Sequence, residues 1–268
     1  KPKGMFPIGP VTGKTLFELL AEQVLARSAR AGAPIPYYIM TSDATHADTV
    51  AFFESHQFFG LPASDVVFLQ QGNMPAFDRT SGQVLLAEKH QLSTSPDGHG
   101  GLLAALKRLN LIADMRRRGI EFIFYHQVDN PLVHVAESEF LGHHVQHNAD
   151  ISTKVVAKLS PDEKMGVVAD VNGQSQIIEY SDLSPEAARR TDSSDQLDVC
   201  PGNTPIHILS PAVLERLLAA AIPLPWHRAI KKVPYINSQG ELVKPDSENA
   251  VKLERFIFDV LLETRRSL

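Results

Sequence analysis

The spacing of apolar and polar positions changes several times along the chain, and each change marks an element. From Thr15 to Arg30, Leu16, Leu19, Leu20 and Val24 recur at helical spacing with charge on the opposite face, which predicts a helix. The run from Ile35 to Thr41 is short and apolar, as a buried strand is. Ala44 to His56 reads as a second helix, with Thr41, Ser42 or Asp43 available to cap it. Asp65 to Gln71 predicts a strand, Gly101 to Arg118 a long helix, and Ile120 to Asp129 an apolar strand that ends in polar residues. Arg116-Arg117-Arg118 reads as a solvated last turn opposing the helix dipole, stopped by Gly119. Strand and helix alternating in this way predict a doubly wound, mostly parallel α/β sheet.

After a helix at Glu137 to His147 the pattern changes. Asp150 to Leu159, Gly166 to Asp170 and Gln174 to Tyr180 are three strand candidates with tight connections, among them Val171-Asn172-Gly173. They predict a small antiparallel insertion at about residues 150–200. Thr204 to Leu209 reads as a further strand, and Pro211 to Ala220 and Ala250 to Thr264 as helices. No Pro/Gly/Ser linker divides the chain, so residues 1–268 are expected to form a single domain.

Composition narrows the function classes. The 268 residues suffice for a sizeable core, and 43% hydrophobic with 21% charged residues is ordinary for a globular protein. The net charge of -5 argues against nucleic acid or an anionic membrane surface as the main partner. Cys200 is the only cysteine, which leaves no internal disulfide and no cysteine-based zinc site. No apolar run approaches the ~20 residues of a membrane span, and no leader peptide is visible. A cytoplasmic enzyme or binding protein is expected.

Ligands of open α/β sheets bind outside the carboxyl ends of the strands, and four polar clusters stand at such ends: Gln70-Gln71-Gly72, Ser95 to Gly101, Val128-Asp129-Asn130 and Pro201-Gly202-Asn203. The glycines of Asp97 to Gly101 allow backbone N–H groups close to an anion, or simply make a flexible turn. Asp129 suits Mg²⁺ held beside substrate phosphates, and equally a turn or cap aspartate. Lys3 and Lys252 are cations able to neutralise phosphate charge, or ordinary surface lysines. His143, His144 and His147 read as a solvated helix face rather than a zinc site, Cys200 as a small buried residue, and Trp226-His227 as part of a pocket lid or of the core.

Taken jointly, the chain resembles the eukaryotic-type UDP-sugar pyrophosphorylases, and within them most of all the UDP-N-acetylglucosamine pyrophosphorylases. The likeness runs from Pro2 to about Asp259. It is carried by Pro2-Lys3-Gly4-Met5, Lys14-Thr15-Leu16-Phe17, Tyr38 to Ser42, Phe58-Phe59-Gly60-Leu61, Gln70 to Ala76, Pro96 to Gly101, Val128-Asp129-Asn130, Gly166-Val167-Val168, Ile178 to Ser181, Gly202-Asn203, Lys232 to Tyr235, Lys244-Pro245-Asp246 and Lys252 to Asp259. The resemblance implies a Rossmann-like nucleotidyltransferase sheet and a reaction in which UTP and a sugar 1-phosphate give a UDP-sugar and pyrophosphate. By position it makes Lys3 and Lys252 the catalytic cations, Gln71 and Gly98 the uracil readers, and Asp129 the aspartate for Mg²⁺ and phosphate. Glu179, Tyr180 and Asn203, with His99, become the sugar contacts.

Three departures accompany the likeness. The Gly-rich signature loop expected ahead of Lys3 is absent, and so is the family's region beyond Leu268, so these residues by themselves are not expected to be a competent catalyst. His99 stands where the acetylglucosamine enzymes commonly carry Asn, and looks more like the UDP-glucose and broad-specificity enzymes. The expectation is thus UDP-N-acetylglucosamine synthesis, with UDP-glucose or broad UDP-sugar synthesis as the alternative. An inactive nucleotide-sugar binding module is the alternative from another class.

Overall fold

The computed structural model describes residues 1–194 and 196–268. The helix Leu16–Ala31 begins where the Thr15 hydroxyl accepts a hydrogen bond from the Glu18 N–H at 3.3 Å, and Gly32 ends it in left-handed backbone. Its inner face buries Leu16, Phe17, Leu20, Ala21 and Val24. The strands Tyr37–Thr41 and Val66–Gln70 run parallel, with Thr41 opposite Gln70. The helix Asp43–Ser55, capped by a Ser42–Thr45 box, makes the crossover between them. Both strands therefore end on the same side.

Beyond this pair the parallel expectation is corrected: every other strand pairing among the described residues is antiparallel. The centre of the five-stranded sheet is Pro201–Leu209. Ile151–Ala157 flanks it on one side, and Ile123–Tyr125 and Val167–Val171 on the other. Ile123–Tyr125 and Ile151–Ala157 point the same way. Pro201–Leu209 lies between them and runs opposite, so the ladder of a parallel sheet does not form there. Val167–Val171 continues into Gln174–Ile178 as a hairpin through Asn172-Gly173.

Two further expectations change. The helix expected over Gly101 to Arg118 is two, Leu102–Arg108 and Leu111–Arg117, because Asn110 at φ 52° is left-handed and breaks it. The Arg116-Arg117-Arg118 run lies exposed at the end of the second helix, as expected, and makes ion pairs there: Arg118 with Asp65 and Asp114, each at 3.0 Å, Arg117 with Asp114, and Arg116 with Glu215. The helix expected over Ala250 to Thr264 is a strand, Ala250–Glu254, followed by a 3₁₀ helix, Ile257–Glu263. The strand is held between His227–Lys231 and Phe77–Asp78, a ladder that outweighs weak helical propensity.

Phe258 of that 3₁₀ helix packs with Leu69, Leu106, Leu209 and Leu214 in one core cluster. A second cluster gathers Phe17, Leu20, Ile39 and Phe53. His144 is buried, with its Nδ1 2.7 Å from Ser152 Oγ, so it leaves the expected solvated histidine face. No helix among the described residues is long and apolar enough to cross a membrane.

Candidate active site

The site begins where the parallel strands end. The Gln71 N–H donates to the Thr41 carbonyl at 2.9 Å, which holds the chain close as it leaves Gln70. Asn73–Pro75 then pairs antiparallel with Thr94–Pro96, and the Asp97 N–H donates to the Gly72 carbonyl at 3.0 Å. These bonds place Gln71 beside Gly98. A cavity of about 340 Å³ lined by Gln70, Gln71, His46, Phe68 and Arg108 borders this loop. Gly98 is at φ 85°, and a Cβ there would lie 2.4 Å from the Arg255 carbonyl oxygen, so only glycine fits.

His99 follows. Its Nδ1 accepts from the Ile257 N–H at 3.1 Å, and its ring stacks on Phe256 with centroids 5.0 Å apart. Burial, with His227 nearby, lowers its pKa to about 4. At neutral pH the ring is uncharged, and since Nδ1 accepts, Nε2 carries the proton. Tyr125 lies 6.0 Å from His99, ring to ring, and burial together with the Asp129 charge holds its hydroxyl protonated.

Lys3 and Asp129 meet directly, Nζ to Oδ2 at 2.7 Å, with side chains 70% and 44% exposed. Glu179 and Asn203 converge on Gly166 at the other end of the five-stranded sheet. The Asn203 N–H donates to the Gly166 carbonyl at 2.8 Å, and a Cβ on Gly166 would lie 3.1 Å from Glu179 Oε1. Asn203 is buried, and its Oδ1 has no partner among the described residues. Burial raises the Glu179 pKa, with Asp182 and Asp259 adding to it and His227 opposing. Tyr180 is half exposed beside it. Lys252 lies on Ala250–Glu254 opposite Ala229, three residues before Arg255, and among the described residues its side chain makes no hydrogen bond or ion pair with the other candidate groups.

The sequence left Trp226-His227 as part of a pocket lid or of the core, and gave His227 no role toward the ligand. Its Nε2 is 2.9 Å from Asp259 and its Nδ1 3.7 Å from Asp182, and Asp259 raises its pKa. Its ring lies 4.6 Å from Phe256. His99, Phe256 and His227 thus form a ring stack between the Gly98 loop and Glu179. The spacing of the three along the chain gives no sign of it. Among the described residues no group of three or more His, Cys, Asp or Glu side chains could hold a metal ion by itself.

The model of the family described as UTP–glucose-1-phosphate uridylyltransferase matches residues 1–267. The chain belongs to this family. It is 42% identical to the UDP-N-acetylhexosamine pyrophosphorylase-like protein 1 of Xenopus tropicalis, over 97% of this chain and 52% of the relative. It is 38% identical to the UDP-N-acetylglucosamine pyrophosphorylase of Saccharomyces cerevisiae, over 97% of this chain and 56% of the relative. The chain thus spans about half the length of the curated relatives it matches. The crystal structure of the Trypanosoma brucei uridine diphosphate N-acetylglucosamine pyrophosphorylase superposes with a TM-score of 0.83 at 28% identity, over 97% of this chain and 52% of that one.

Proposed function

We propose that this chain carries the uridine and sugar sites of a uridylyltransferase that makes UDP-N-acetylglucosamine and pyrophosphate from UTP and N-acetylglucosamine 1-phosphate. In this reading residues 1–268 belong to one catalytic domain, with the antiparallel insertion at about residues 150–200. The observation that carries this reading is the Lys3–Asp129 pair: residues 126 positions apart meet at 2.7 Å beyond the end of Ile123–Tyr125. An exposed pair adds little stability. A lysine and a carboxylate side by side are the charges that a magnesium-bound phosphate chain needs. Membership of the family and the names of the relatives support the nucleotide and the acetamido sugar.

In this reading the Gln71 amide and the Gly98 backbone pair with the uracil edge. Glu179 and Asn203 take sugar hydroxyls, Tyr180 packs on the ring, and His99 donates from Nε2. The sugar phosphate oxygen attacks the α-phosphorus of UTP in line, the bond to the β-phosphate oxygen breaks, and pyrophosphate leaves. Lys3 and Lys252 stabilise the charge that gathers on the phosphates, so positioning and electrostatics supply the catalysis without a protein nucleophile. Asp129 suits Mg²⁺, which commonly takes one or two carboxylates and completes its shell from phosphates and water. When bound, the ion supplies further positive charge to the phosphate oxygens. A cytoplasmic setting fits the single cysteine, and the charge of -5 fits small anions rather than nucleic acid or membrane as partners.

His99 favours a second reading, UDP-glucose or broad UDP-sugar synthesis. A pyrophosphate-release assay on the full-length protein with UTP, Mg²⁺ and each sugar 1-phosphate separates the two. Preferred turnover of N-acetylglucosamine 1-phosphate supports the first, and preferred turnover of glucose 1-phosphate the second. Binding of UDP-sugars without turnover of either substrate supports a nucleotide-sugar binding module.

A further inference from the structure

A buried ion pair lies where the uridine loop meets the strand that carries Lys252. Asp97 Oδ2 accepts from Arg255 Nη2 at 2.6 Å, with the two side chains 4% and 21% exposed. The same two residues are tied through their backbones. The Arg255 N–H donates to the Asp97 carbonyl at 2.8 Å, and the Gly100 N–H donates to the Arg255 carbonyl at 2.7 Å. The Asp97 carboxylate fits between two glycines: a Cβ on Gly72 would lie 2.9 Å from it, and one on Gly101 2.2 Å. The Arg255 guanidinium lies under the Trp226 ring, 4.3 Å from its centroid.

Stability alone is a poor reason for this pair. Desolvating two charges costs several kcal/mol, and apolar residues of similar volume are often as good or better. The pair is also incompletely satisfied, since Asp97 Oδ1 and Arg255 Nε are buried without partners among the described residues. Its connections are more informative. Asp97 is joined to Gly72 beside Gln71, and stands next to Gly98. Arg255 stands next to Phe256, the ring under His99, at the end of the strand that carries Lys252.

We propose that Asp97 and Arg255 are positioning residues that fix the distance between the uracil-reading loop and Lys252, and so align the α-phosphate of UTP with its cation. This rests on the nucleotide site assigned above. An apolar pair could fill the same volume, but it would leave the register of two segments 158 residues apart to the two backbone bonds alone, without the directional side-chain pair.

The test uses the double variant Asp97→Asn/Arg255→Met, which removes both charges and keeps the volume, so no lone buried charge remains to unfold the protein. Arg255→Lys, which keeps a cation, is the conservative control. The melting temperature of the double variant should stay close to wild type, while KM for UTP rises and kcat falls, each about tenfold or more, the scale of a small misplacement of reacting groups. Arg255→Lys should recover much of both. Amide hydrogen exchange of residues 96–101 should quicken in the double variant and not in Arg255→Lys. A folded double variant with KM and kcat within twofold of wild type and unchanged exchange overturns the proposal. Wild-type protein that neither binds nor turns over uridine nucleotides overturns the nucleotide site instead, and the exchange comparison still decides whether the pair holds the loop.

Discussion

Asn203 offers a test in which stability and function move in opposite directions. It is 6% exposed on the central strand, its N–H is engaged with Gly166, and its Oδ1 is buried without a partner. A buried acceptor left unpaired costs about 1–3 kcal/mol. Replacing it with the near-isosteric, apolar leucine removes that penalty and leaves no cavity. Asn203→Leu should therefore raise the stability of the ligand-free protein by about 1–2 kcal/mol, which is a rise in Tm of roughly 2–8 °C for a chain of this size. It also removes the acceptor offered to the sugar. One neutral hydrogen bond is worth about 0.5–1.5 kcal/mol net, so affinity for UDP-N-acetylglucosamine should fall about 2- to 12-fold. Affinity for UDP, which lacks the N-acetylglucosamine, should hold. The assay is calorimetric titration with both ligands beside a thermal melt. A variant that is less stable than wild type and binds both ligands unchanged would refute the idea that Oδ1 waits for a sugar hydroxyl.

Other outcomes follow from the same geometry. Lys252→Ala should lower kcat in the pyrophosphate-release assay by about 10²-fold, the scale of one preorganised electrostatic group; a value within twofold of wild type removes Lys252 from the chemistry. Asp129→Asn should leave the melting temperature nearly unchanged, because its pair with Lys3 is exposed, yet raise the Mg²⁺ concentration needed for half-maximal turnover; an unchanged Mg²⁺ response speaks against Asp129 as the ligand. His99 has its pKa lowered from 6.5 to about 4 in the fold, so its stabilising contribution is present above pH 6.5 and lost as the pH falls through 4. Denaturant midpoints across that window should fall with acid in wild type, and fall less steeply, by close to one proton, in His99→Asn; equal slopes would contradict the buried neutral ring.

Local rules made some elements legible in the sequence. Thr15 and Gly32 bound the first helix as capping predicts. The apolar runs that became Tyr37–Thr41 and Val66–Gln70 needed no partner to be recognised. Legibility ended where a distant partner decides. Ala250–Glu254 is followed by further apolar residues and reads as helical, but it lies in a ladder with His227–Lys231, itself not recognised as a strand. Ile120 to Asp129 reads as an apolar strand of a mostly parallel sheet, but the strand that forms, Ile123–Tyr125, takes its direction from Pro201–Leu209, a segment some eighty residues further on. The candidate site shows the same division. The residues quoted from the family resemblance include Asp97 and Arg255, but neither shows alone that the two form a buried pair, since each resembles an ordinary surface charge. The ring stack of His99, Phe256 and His227 is likewise a product of packing between three separate segments.

The most direct measurement is a crystal structure of the protein with UDP-N-acetylglucosamine. The uracil edge should lie on the Gln71 amide and the Gly98 backbone, with the diphosphate between Lys3, Asp129 and Lys252. The sugar should lie over Gly166, between Glu179 and Asn203, with His99 Nε2 donating to it. A ligand seated elsewhere, for example in the cavity of about 520 Å³ lined by Asp150, Arg216, Arg265 and Arg266, with Gln71 and Asn203 untouched, would contradict the assignment of the site.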